Sequence, residues 1–149
     1  MIMTDIFTVR IADRRSNGVS DMREIIFKAK RKDNGEWVNG YLMDENYINV
    51  PFNDYDACGR FDDPIEINPE TLCQYTGLTD KNGRKIWESD IVKHEDSQCS
   101  GAIRWYRGDY VGWCVDDVHD YEQQFSIDMF NECEVIGNIF DNVDLLEVE

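Results

Sequence analysis

The chain is short of positive charge. Its 149 residues carry 15 Lys and Arg against 31 Asp and Glu, a net charge of −16 at neutral pH. The deficit is uneven. Within residues 22–36, Arg23, Lys28, Lys30, Arg31 and Lys32 outnumber Glu24, Asp33 and Glu36, whereas residues 37–149 hold 7 basic and 25 acidic residues, a net of −18. Nucleic-acid backbones and anionic lipid are gripped by clustered Lys and Arg, so direct binding of either is disfavoured. An acidic chain stays soluble and attracts cationic partners or divalent ions. Histidine is scarce, with two residues, and the five cysteines (Cys58, Cys73, Cys99, Cys114, Cys133) are odd in number with no C-x-x-C. That excludes a disulfide framework and a zinc ribbon, and fits a reducing, cytoplasmic compartment. No apolar run approaches the about 18 residues of a membrane span, and no signal-peptide core opens the chain. The motifs G-x-x-x-x-G-K-S/T, G-x-G-x-x-G and G-x-S-x-G are all missing, so no phosphate-cradling loop or nucleophile elbow is expected.

Aromatic residues are plentiful: four Trp, seven Tyr and seven Phe. At this length folding hides roughly 70 % of the unfolded chain's surface, enough for a core. Residues 1–21 end in a polar, turn-prone stretch and read as an N-terminal extension. Residues 22–149 read as the domain, divisible into sub-lobes 22–72 and 73–149. Its pattern is short β-branched and aromatic runs separated by tight turns at Asn34-Gly35, Asn82-Gly83 and Arg107-Gly108-Asp109. Such spacing predicts a mainly β fold, a short-strand meander closing into a small barrel or a strongly bent sheet. Phe125, Met129 and Phe130 predict a short amphipathic helix over residues 121–132, and residues 141–149 end in a helical turn.

Several constellations invite a chemical reading. His94, Cys99, Cys114 and His119 are two Cys and two His flanking one hairpin, the donor set zinc accepts, although their spacing matches no standard knuckle. Asp116, Asp117, His119, Asp120 and Glu122 offer oxygens to calcium or magnesium, without the glycine an EF-hand loop needs. Cys114 with His119, or Cys99 with His94, are the local nucleophile–base candidates. None of these has supporting context, and each has an ordinary alternative: a buried thiol acting as a small hydrophobe, or a solvated acidic loop. Trp105, Tyr106, Tyr110 and Trp113 line the third hairpin. They either fill a core or present a peptide groove, and alternation places at least one of the two Trp inside.

Three blocks point to a family. They are MREIIFKAK (22–30), QYTGLTDKNGRKIWESDIV (74–92) and ECEVIGNIFDNVDLLE (132–147). Together they resemble the YopX family of prophage and mobile-element proteins. The signature positions are Gln74, Tyr75, Gly77, Asn82, Gly83, Asp90 and Gly137. Ser89 stands where the family usually has Gly, Trp87 where it often has Tyr, and Val143 where it often has Pro. The resemblance implies a mostly β fold with an SH3-like barrel portion, a phage or prophage origin in a bacterial host, and self-association. It transfers no catalytic residue and no cofactor. Turn chemistry explains many signature residues: Gly77 and Gly83 suit positive φ, Asn82-Gly83 a two-residue turn, Asp90 the capping of turn amides, and Gly137 a bulge or close backbone approach.

The expected function is that of a non-enzymatic accessory protein that binds another protein or assembles with itself. Two alternatives remain at this level. One is an acidic mimic occupying a nucleic-acid site on a host protein. The other is a metal-dependent hydrolase using the His/Cys or Asp-rich cluster.

Overall fold

Short runs joined by tight turns can satisfy their backbone groups only by pairing with the next run, and the chain does so throughout. The structure is a computed structural model and describes residues 24–50, 63–94, 100–109, 111–117, 124–126 and 132–146. Six strands, β1 (Phe27–Lys30), β2 (Trp37–Asp44), β3 (Tyr47–Asn49), β4 (Ile65–Glu66), β5 (Cys73–Thr79) and β6 (Lys85–Trp87), form one sheet in the order β4-β3-β2-β1-β5-β6. Five more, β7 (Asp90–His94), β8 (Ser100–Arg107), β9 (Val111–Asp117), β10 (Gln124–Ser126) and β11 (Cys133–Asn138), form a second in the order β10-β9-β8-β7-β11. All named pairings are antiparallel and both sheets are open, a mainly β meander of barrel-like character. Among the described residues the helical elements are two 3-10 turns, Pro69–Thr71 and Val143–Leu146, and no helix is long and apolar enough to cross a membrane.

Two local expectations are corrected. The helix read over residues 121–132 is replaced at its centre by β10, with Phe125 opposite Val115. Helical spacing of three apolar residues was outweighed by the open edge of β9, which offers backbone partners that a short helix would leave unused. The Asn82-Gly83 turn is a three-residue loop, not a two-residue one. Asp80 N–H donates to the Arg84 carbonyl at 2.8 Å, Gly83 N–H donates to the Asp80 carbonyl at 3.0 Å, and Gly83 alone in the loop has positive φ, +78°. That is a type I turn followed by a left-handed glycine.

The core is three linked clusters. Ala29, Ile48 and Ile67 fill the first sheet's far end, and Ile26, Cys73, Tyr75 and Trp87 fill its near end against Trp37 and Phe140. Ile86 crosses to join Val92, Ile103, Trp113, Val115, Cys133 and Val135 of the second sheet. Each fully buried Ile or Val contributes about 1.5–3 kcal/mol.

Polar groups of residues 74–92 hold the two sheets to each other. Asp90, 2 % exposed, begins β7; its Oδ1 accepts from Lys28 Nζ of β1 at 3.2 Å, and its Oδ2 accepts from the Trp87 N–H at 2.9 Å. Burial raises the Asp90 carboxyl above its ordinary value, against the lowering effects of Lys28 and the Trp87 N–H. Asp80, 6 % exposed, accepts from Asn82 N–H and Arg84 N–H, each at 2.9 Å, and reaches across to Val135 N–H of β11 at 3.1 Å. Burial works against its charge, but these backbone donors win and its carboxyl lies below its ordinary value. Ser89 completes the link: its N–H donates to the Ile103 carbonyl at 2.9 Å and its carbonyl accepts from Ile139 N–H at 3.0 Å. It does so at φ +68°, a left-handed conformation that explains why glycine suits this position.

Three outcomes follow. Ser89→Gly relieves a left-handed side chain and raises stability by about 1 kcal/mol, read as a higher Tm by calorimetry; a lower Tm would show that the Ser89 side chain stabilises more than its conformation costs. Lys28→Met strands the Asp90 carboxylate and costs about 3 kcal/mol near pH 7. Lys28 holds the raised Asp90 carboxyl down, so the variant's carboxyl is raised further and its stability falls more steeply than the wild type's as pH rises; the variant's deficit therefore narrows when urea unfolding is repeated at about pH 4.5. An equal deficit at both pH values would contradict this reading. Asp80→Asn supplies one oxygen where three N–H donors meet two, and costs about 2 kcal/mol near neutrality. The lowered Asp80 value makes its contribution present above the unfolded value of about 3.9 and lost as pH falls through the folded one, so this deficit shrinks in acid. A pH-independent deficit would show that its charge is irrelevant.

Candidate partner-binding site

The β8–β9 hairpin places its aromatics by strand alternation. Trp105 and Trp113 stand opposite each other, edge to face, with ring centroids 4.9 Å apart. Trp113 is 9 % exposed and belongs to the core, as alternation requires of one of the pair, while Trp105 is 46 % exposed. The Trp113 indole N–H is buried and finds no acceptor among the described residues. Tyr106 lies on the opposite face, folded over Gly108. Tyr110 lies outside the described residues.

A groove of about 610 Å³ opens beside Trp105, walled by Glu88 and Ser89 on one side and by Ile139, Val143 and Leu146 on another. Arg104 and Asp116 sit at the groove as an ion pair with each other. A second depression of about 450 Å³ shares Trp105 and Glu88 and adds Gln74 and Trp113. Glu88 is held in place by its neighbour strand: its backbone N–H donates to the Gln74 carbonyl at 2.9 Å, and its Oε2 accepts from the Gln74 N–H at 3.2 Å.

The walls come from separate parts of the domain, Glu88 and Ser89 from one stretch and Ile139, Val143 and Leu146 from another. The sequence pattern of the YopX protein family matches residues 26–147. The chain belongs to the YopX family. No curated protein matches it in sequence. Among solved structures, protein EF1440 from Enterococcus faecalis matches with 23 % identity and a TM-score of 0.47, over 85 % of this chain and 100 % of that one.

The residues that carried the resemblance occupy turns, register shifts and the junction of the sheets. Gln74 and its neighbour Tyr75 stand at the junction of the sheets; Tyr75 is buried against Trp87 at 5.5 Å, with Lys85 Nζ 4.7 Å over its ring. Gly77 has φ +86° at a register shift between β5 and β6, and Gly137 sits at the β7–β11 register shift, where a Cβ would lie 2.5 Å from Asn142 Oδ1. Asn82 donates its backbone N–H to Asp80, and Asp90 caps the Trp87 amide as expected while also taking Lys28. These contacts are structural, and Gln74 also lines the second depression. Sequence reading missed Glu88, Ile139 and Leu146 as groove walls. The only trace was that Glu88-Ser89 interrupts the apolar run of the signature.

The cysteine and histidine candidates do not share a centre as far as they are described. His94 ends β7 and Cys114 lies on β9, with β8 between them. The registers Lys93↔Ser100 and Arg104↔Cys114 displace them along β8 as well, a separation of roughly 15–20 Å at ordinary strand spacings. Cys99 and His119 lie outside the described residues, as do Asp120 and Glu122. Burial, reinforced by Asp116, pushes the Cys114 thiol up despite Arg104. Burial pushes Cys73 and Cys133 each up to about 11. A thiol held protonated is a poor nucleophile.

Proposed function

We propose that the chain is a non-enzymatic accessory protein of phage or prophage origin that works by binding another protein through the groove at Trp105. The observation that carries this reading is a half-exposed Trp105 backed edge-on by buried Trp113 beside a groove of about 610 Å³. A large aromatic held rigidly on a sheet is the kind of anchor that dominates interfaces, and the apolar wall of Ile139, Val143 and Leu146 gives a partner surface to cover. YopX family membership supports the origin. The acidic surface favours a basic partner. The raised thiols of Cys73, Cys114 and Cys133 speak for binding over nucleophilic chemistry. Self-assembly is a form of the same reading, with a second copy as the partner.

The test compares tagged wild-type protein with Trp105→Ala, both checked by circular dichroism, in capture from bacterial host lysate and in light scattering. A dominant captured protein, or a dimer, that disappears in Trp105→Ala is the expected result. Capture of the same proteins in the same yield by both would move the interface elsewhere.

A further inference from the structure

The chain grips one of its own lysines with a set of parts that it repeats on its surface. Lys28 Nζ lies 4.8 Å from the Trp37 ring centre and 5.4 Å from that of Trp87, with the Asp90 carboxylate at 3.2 Å. Two indole faces and one carboxylate compensate an ammonium for the water it loses. The depression beside the main groove is lined by the same residue types, Trp105, Trp113 and the Glu88 carboxylate, joined by Gln74, with no basic side chain among the four; Trp113 is buried edge to face on Trp105, so Trp105 supplies the exposed indole. Glu88 is already oriented by two hydrogen bonds to the Gln74 backbone, so a ligand need not spend its binding energy ordering it. Arg104, on the adjoining groove, is engaged by Asp116.

We infer that this depression is a docking slot for a lysine side chain on a flexible basic segment of the partner protein. The inference rests on the protein-binding reading and adds the chemistry of what is bound. Charge complementarity brings such a segment in, since the chain carries −16 overall. The slot then selects it, with the ammonium over the open face of Trp105 and close to Glu88.

The test titrates isotope-labelled full-length protein with an acetylated, amidated Gly-Lys-Gly-Lys-Gly peptide, and separately with the same peptide carrying norleucine for lysine. The indole N–H signals of the four Trp report where each binds. The lysine peptide moves the Trp105 and Trp113 signals saturably and leaves Trp37 and Trp87 in place. Trp105→Ala weakens it by about two- to fivefold, the worth of an exposed cation–π contact. Glu88→Gln weakens it by a similar factor while removing only one of 31 acidic residues, so diffuse attraction barely changes. Equal movement with the norleucine peptide would overturn the lysine slot and leave the protein-binding groove standing. Small uniform shifts at all four Trp, or unchanged affinity in Glu88→Gln, would reduce the effect to diffuse charge and overturn it too. No movement at all also overturns it, and the capture experiment then judges the protein-binding reading by itself.

Discussion

The two sheets meet around one buried ion pair, Lys28 with Asp90, and much of the architecture follows from it. Lys28 belongs to the first sheet and Asp90 to the second. Neither can leave without stranding the other away from water, so the pair fixes how β1 approaches β7. The surrounding indoles of Trp37 and Trp87 shield it, and Trp37 is itself tied down: its Nε1–H donates to Asp141 at 2.7 Å, and Asp141 also takes Lys30. Those contacts, hydrogen bonding to Lys30 foremost, draw the Asp141 carboxyl down to about 2. The turn after β11 is thereby clasped onto β1 and β2, and its neighbours Ile139, Val143 and Leu146 become a wall of the groove.

The same logic accounts for the pattern of residues 74–92. This segment supplies β5 and β6 to one sheet and β7 to the other. Its polar residues bond across the junction: Asp80 to Val135, Ser89 to Ile103 and Ile139, Asp90 to Lys28. A segment that must make a turn, a bulge, three left-handed residues and four such links has few acceptable sequences. That constraint is structural.

Much was legible from local chemistry. Turn residues marked the hairpins at Asn34-Gly35, Asn82-Gly83 and Gly108-Asp109 because Gly and Asn tolerate backbone conformations that other residues resist. Alternation around Trp105 and Trp113 placed at least one of them inside, because strand geometry has a strict period of two, and Trp113 is the one that is buried. The helix over residues 121–132 was misread because a short amphipathic spacing does not reveal that an unpaired strand edge is nearby. Asp80 looked like an ordinary turn residue, since nothing local shows that its second oxygen meets the Val135 amide 55 positions away.

The sequence by itself determined the class of fold, the family, the acidic character and the positions of the turns. Each depends on composition or on neighbours within a few residues. Packing between distant segments settles which carboxylates are buried, which of the two paired tryptophans is covered and what walls the groove at Trp105. Those depend on residues far apart in the chain, such as Glu88, Trp105 and Leu146, and only the packing of one sheet against the other brings them together.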